Sequence, residues 1–348
     1  MALIKKTNIL LALLGATAAM CANQSMAQAP AAAPIAPAAT AKPEVVRPAV
    51  LPGRGLAEHD FLYAGEAKTL DIYIVRGGKV TWEHHDKLAR GEISDALMAS
   101  NGNIVYGHQY GVKLINQARE TLWSYPVDAG HEIHTAQFIG NDRVIFVQSG
   151  PRPRIMLANV KSNKIEREIP IIAGNLNKVH GQLRHARLTP TGTYLLAQMD
   201  LGRAAEYDEN GKEIWTYAFP GIWSAVRFEN GNTMLCGRTG IVELNAKGET
   251  VWTFGPADVP EYKSNSYQIA TRLPNGNTIV NHWVNQWNTP AGKVDVATAP
   301  VQAIELTPAK KVVWALNSWS NPDLGPSTVI QILDQPEKRE IARFGAIR

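Results

Sequence analysis

The stretch from Ile222 to Phe254, IWSAVRFENGNTMLCGRTGIVELNAKGETVWTF, decides how the chain is read. Short runs of apolar and β-branched residues are broken by ENGN and by NAKGE, and the last run carries Trp252. Turns with Asn-Gly or Lys-Gly at their centre join neighbouring antiparallel strands, so the stretch predicts a small meander of short strands.

The unit recurs. Aligned on its first turn, it returns as SDALMASNGNIVYGHQYGVKLINQARETLWSY from Ser94, HTAQFIGNDRVIFVQ from His134 and HARLTPTGTYLLAQMDLGRAAEYDENGKEIWTY from His185. A further copy, IATRLPNGNTIVNHW from Ile269, receives its second half late, as VQAIELTPAKKVVWAL. A period of roughly forty to sixty residues per four-stranded unit is that of a propeller blade, with strands A to D running outward from the axis. Strand D carries Trp82, Trp123, Trp215, Trp252 or Trp314, and the third unit has KIEREI in that place. A large aromatic on the outer strand fills the wedge that widens between radiating blades, so these five read as packing groups.

The two ends complete each other. FLYAGEAKTLDIYIVRGGKVTWEHH supplies strands B, C and D of a unit without strand A, and STVIQILDQ near the C-terminus has the matching strand A character. Sharing one blade closes the ring and removes an exposed sheet edge. The fold class expected for residues 56–348 is therefore all-β: a six-bladed β-propeller of four-stranded antiparallel blades, closed by a composite N- and C-terminal blade. The long stretch Asn285 to Val301 reads as a B–C loop insertion, and a blade boundary inside it would raise the count to seven. Units with NGN or NG at the first hairpin and GKxxW at the second resemble the bacterial quinoprotein-like (PQQ-like repeat) and arylsulfotransferase-like propellers, over about Asp60 to Gln335. The resemblance implies fold more than activity, because the same blade serves enzymes, assembly scaffolds and binding proteins.

Ahead of the repeats, Lys5 and Lys6 precede the apolar run NILLALLGATAAM and then QSMAQAP. That is the layout of a secretory signal peptide over 1–27, cleaved after Ala27, and the run is too short for a comfortable membrane span. Residues 28–55 form a Pro/Ala-rich linker with too few large apolar groups to fold. The expected destination is the periplasm or the exterior. Lipid anchoring at Cys21 is disfavoured by Met20, which stands where a small residue is wanted. Cleavage leaves Cys236 as the only cysteine, hence no internal disulfide. The formal charge of +4 includes the two leader lysines, and no Lys/Arg cluster suggests a nucleic-acid surface. A monomer with no transmembrane segment in the mature chain is expected, with protein partners left open.

A propeller places ligands at one mouth of its channel, where loops between blades converge with B–C loops. Counting back from the first turn puts Asp95, His134, His185 and Ser224 in one column near the start of strand A, with Thr328 as counterpart in the composite blade. His108, Gln148, Gln198, Arg238 and His282 end strands B at the same mouth, and loops add His131, Glu132, His180, Arg184, Trp223 and Tyr267. Seven of the nine histidines map to this end if His59 is counted with them.

Three chemistries suit such a mouth. His134 or His185 acts as nucleophile or base while Arg184 holds an anionic group, as sulfuryl transfer or uronate-directed carbohydrate cleavage requires. The resemblance to arylsulfotransferase-like enzymes points the same way. Alternatively the mouth binds a small anionic or sugar-like molecule through Asp95, His108, Gln148, Gln198, Trp223, Arg238, Tyr267, His282 and Trp287, and this is the leading expectation. A cell-envelope scaffold that holds protein partners is the third. No cofactor is called for: PQQ is set aside, since the single mature Cys excludes the adjacent-cysteine disulfide that often covers the quinone. A divalent metal on neutral imidazoles with Asp95 or Glu132 stays open, although HEIH from His131 lacks zinc-protease spacing.

Overall fold

The structure is a computed structural model, and it describes residues 45–66, 70–87, 91–264, 266–284, 299–335, 340 and 342–347. The chain divides into two units, Met1–Glu44 and Val45–Arg348, and every described residue lies in the second. The expected leader and most of the expected linker lie outside the described residues, as does Trp287.

Six four-stranded antiparallel sheets make up the second unit, one per repeat. Blades 2 to 6 begin with the innermost strands Asp95–Met98, Glu132–Ile139, Leu183–Leu188, Ile222–Arg227 and Tyr267–Arg272. Blade 1 is the composite one. Its inner strand Ser327–Ile332 pairs antiparallel with Phe61–Glu66, which continues through Leu70–Arg76 to Lys79–His85. In blade 6, Thr278–His282 pairs directly with Ala303–Leu306, so the stretch between them is an insertion inside one blade and the count is six. Apart from single 3-10 turns, the described residues form no helices.

The first hairpin repeats in detail. Gly102, Gly192, Gly231 and Gly276 all sit at φ between 84° and 86°, each donating its N–H to the carbonyl three residues back at 2.9–3.0 Å. Only glycine takes that left-handed conformation without cost, which explains the recurring NG and TG. Blade 3 departs from the rule, since it turns between Ile139 and Arg143, two residues tighter than blade 4's turn between Leu188 and Tyr194.

Apolar packing lies between blades rather than at one centre, because each of the six seams has its own cluster of buried side chains. The outer-strand tryptophans lock these seams. Trp82 donates its indole N–H to Gln117 O at 2.8 Å, Trp123 to Asn163 Oδ1 at 2.9 Å and Trp252 to Pro308 O at 3.2 Å, each across to the next blade's outer turn. Trp314 reaches Gly55 O at 2.8 Å. Blade 3 has Arg167 in the equivalent place, and its Nη1 donates to Glu209 O of blade 4 at 3.1 Å. Packing also begins earlier than the expected 55/56 boundary. Leu51 joins the seam of blades 5 and 6, and Gly53 lies so close to Trp314 that a Cβ would meet the indole at 2.7 Å.

Candidate functional site at the channel mouth

Five inner strands carry a β-bulge near their start, at Thr328, His134/Thr135, Arg184, Trp223 and Gln268. A bulge breaks the two-residue alternation and re-aims a side chain. It turns Arg184 and Trp223 out of the ladder and toward the channel mouth, where they meet residues from neighbouring blades.

Glu92, in the entry to blade 2, anchors the group. Its Oε1 accepts from Ser94 Oγ at 2.8 Å and from Arg184 Nη1, and lies 2.9 Å from His134 Nδ1. Glu132 Oε2 lies 2.9 Å from both His134 Nε2 and His180 Nδ1, while its other oxygen accepts from Gln109 Nε2 at 3.1 Å. Burial opposes ionisation of both carboxyls. For Glu92 the Arg184 guanidinium with His134 and His180 outweighs it, and for Glu132 the two imidazoles and Gln109 do, so both are held well below the usual carboxylate range. Arg184 Cζ stands 5.2 Å from the centre of Trp223, and Arg238 Cζ lies 5.8 Å from it. Trp283 of blade 6 adds a second indole, 6.2 Å from the first between centroids. Five of the six blades therefore contribute.

Of the residues expected from sequence, Glu132, His134, His180, Arg184, Trp223 and Arg238 come together here. His185 does not join them. The ladder equates Asp95, His185 and Ser224 with Ala136, because blade 3's turn is two residues shorter, so His134 stands higher than the column to which the sequence assigned it. His185 instead lines the central channel beside Arg187, in a cavity of about 1030 Å³ that draws on all six inner strands. That cavity runs toward the opposite mouth, as its lining by the A–B turn residues Pro190, Phe228 and Pro274 shows, and Ala342 and Arg343 of the C-terminal segment stand at its rim.

The other expected contacts are engaged within the protein. Asp95 is fully buried and takes a two-pronged bond from Arg187, at 2.6 Å to each oxygen, plus one from Thr135 Oγ1 at 3.0 Å. It ties blades 2, 3 and 4 together. Gln198 bonds Ile172 O, Tyr207 and Arg203, and Gln148 Oε1 accepts from the Tyr125 hydroxyl at 3.2 Å. Tyr267 shares a 2.8 Å hydrogen bond with Ser264, and His282 Nδ1 donates to Val301 O at 3.0 Å. Burial, only partly offset by Asp86, lowers His108 to about 4. His59 belongs at the opposite end, held between Glu305 at 3.0 Å and Asp334 at 3.3 Å beyond the last inner strand.

Glu92 escapes sequence reasoning because it precedes the repeat unit of blade 2, and Ser94, the unit's first residue, is matched by no consistent residue type in register to mark it. Their signal is positional: Glu132 and Arg184 enter blades 3 and 4 at the same mouth, and Glu92 enters blade 2 there.

No family model and no curated protein matches the chain. Among solved structures it is similar to a protein of unknown function from Bacteroides caccae, with 22% identity and a TM-score of 0.68 over 78% of this chain and 97% of that one. It is also similar to a catalytically inactive virginiamycin B lyase from Staphylococcus aureus bound to quinupristin, at 13% identity and a TM-score of 0.51 over 76% and 87%. A streptogramin B lyase gives 12% identity and a TM-score of 0.50 over 78% and 86%. These likenesses are of fold, and they place the chain among β-propellers.

Proposed function

We propose that the protein is an exported β-propeller that binds a small anionic ligand, a carboxylate or sulfate ester on a sugar or aromatic body, at the mouth around Trp223. One observation carries this reading. Arg184 Nε, Trp223 Nε1 and Trp283 Nε1 are buried N–H donors with no acceptor, on three side chains grouped at one place. Each such donor costs about 1–3 kcal/mol when left unpaired. What the group lacks is acceptor oxygen, which an oxyanion supplies, and charge-assisted bonds to Arg184 and Arg238 strengthen the match. The indoles offer faces to the ligand's body, and the ligand enters by parting the Trp223–Trp283 contact. The test is a thermal-shift screen of the chain from Gln28 onward against aryl sulfates, uronic-acid oligosaccharides and neutral sugars, repeated on Trp223→Leu and Arg238→Met. The account expects stabilisation by one anionic class that both variants lose, with their own melting temperatures changed by only a few degrees. Equal stabilisation of wild type and both variants by the same compound overturns it.

A different observation favours a second reading, an enzyme of lyase or sulfuryl-transferase type. His134 has a carboxylate at each ring nitrogen, Glu92 on one side and Glu132 on the other, an arrangement that orients an imidazole for proton transfer. Turnover of the stabilising anion that His134→Gln abolishes would select this reading over simple binding.

A further inference from the structure

Glu132 stands behind two neighbouring histidines and bridges them. His134 Nε2 and His180 Nδ1 both point at its Oε2, each at 2.9 Å. The opposite ring nitrogens are His134 Nδ1, 2.9 Å from Glu92 Oε1, and His180 Nε2, against Arg184 Nη2, and an ion that binds there displaces any proton they carry. Glu92, His134 and His180 each offer one ligand atom, and these three atoms lie within 4.8 Å of one another. All three side chains face the same positive group, since Arg184 Nη1 contacts Glu92 and lies 3.3 Å from His134 Nδ1, while Nη2 lies against His180 Nε2. Three side chains of metal-ligating type thus surround a cation, and the carboxylate behind both imidazoles is the outer-shell partner that orients histidines as metal ligands.

We propose that this is a divalent-cation site. A first-row ion such as Zn²⁺ is held by Glu92, His134 Nδ1 and His180 Nε2, with Glu132 as the outer-shell acceptor for both rings, and it competes with the Arg184 guanidinium for these donors. Two imidazoles and one carboxylate suit that class of ion rather than calcium or magnesium. Tetrahedral ligation with bonds of about 2.0 Å separates ligands by about 3.3 Å; Glu92 Oε1 and His134 Nδ1 stand 2.9 Å apart, and the three ligand atoms lie within 4.8 Å of one another. His180 is exposed and leaves an entry for the ion, whereas Glu92 and His134 are buried. The guanidinium gives up Glu92 when the ion binds and remains beside Trp223.

The test is titration of the untagged, chelator-treated chain from Gln28 onward with Zn²⁺ by calorimetry, and with Co²⁺ by its visible absorption. The proposal expects one ion per chain, binding weakened at least 10-fold by Glu92→Gln and by His180→Ala, and tightened about 10-fold by Arg184→Met, which removes the competitor. Trp223→Leu serves as control. It disables the anion reading above yet should leave ion binding unchanged, so the two readings fail separately. No binding by the wild type, binding by Arg184→Met alone, or binding indifferent to Glu92→Gln and His180→Ala would each overturn the proposal. The second outcome would mean that the guanidinium is itself the permanent cation of the cluster.

Discussion

At the scale of single residues, the mouth separates side chains whose bonds are complete from those whose bonds are not. Asp95 and Gln198 look like ligand contacts in sequence, being polar and near the start of strand A or the end of strand B. Their oxygens and nitrogens are spent on Arg187, Thr135, Tyr207 and Arg203. Sequence alternation locates such residues but says nothing of their partners. Trp223 and Arg184 differ because a bulge at each turns the side chain out of the ladder, and no periodicity encodes a bulge. His108 gives a residue-scale prediction. Burial holds it near 4, against about 6.5 in the unfolded chain. Between those values the unfolded chain takes up a proton that the folded one refuses, so the stabilising difference is whole above pH 6.5 and is lost as pH falls toward 4. The His108→Gln variant should lack this dependence, which is worth on the order of 3 kcal/mol across the window. Parallel pH–stability curves for wild type and variant, from urea unfolding, would contradict it.

At the scale of elements, the seams were legible and their chemistry was not. Five tryptophans in equivalent places on strand D signalled wedge packing, and the structure adds a hydrogen bond into the neighbouring blade for three of them and, for Trp314, one to Gly55 ahead of blade 1. KIEREI looked like a gap in the pattern. Arg167 nevertheless reaches the same kind of target, the Glu209 carbonyl, by length and charge rather than by ring size. Trp123 is buried and Arg167 is about a third exposed, with side-chain exposure of 37%. Replacing Trp123 by Phe should therefore cost about 1 kcal/mol, or roughly 2 °C in melting temperature, by removing one buried hydrogen bond. Arg167→Ala should cost less than half of that. Thermal melts followed by circular dichroism read both, and a larger loss at Arg167 than at Trp123 would reverse this ranking of the seams. The turns show the limit of counting from sequence: blade 3's shorter hairpin moves His134 two places out of the column in which a common turn length puts it.

At the scale of the whole molecule, ring closure was readable because each end of the repeat array lacked what the other supplied, and Ser327–Ile332 does pair with Phe61–Glu66. What no linear reading could assemble is the mouth itself, which takes Glu92 from blade 2, Glu132 and His134 from blade 3, Arg184 from blade 4, Trp223 from blade 5 and Trp283 from blade 6. The same ring holds two populations of indole. Trp82, Trp123, Trp252 and Trp314 donate to protein acceptors at the seams, whereas Trp223 and Trp283 have donors without acceptors at the mouth. Indole N–H resonances in a ¹⁵N-correlation spectrum, assigned by single Trp→Phe variants, report both populations at once. Titrating the best stabilising anion should shift the Trp223 and Trp283 signals downfield, as new hydrogen bonds form, and leave the four seam signals in place. Shifts confined to seam indoles, or none at Trp223 and Trp283 while the anion binds, would contradict a mouth built to receive an oxyanion.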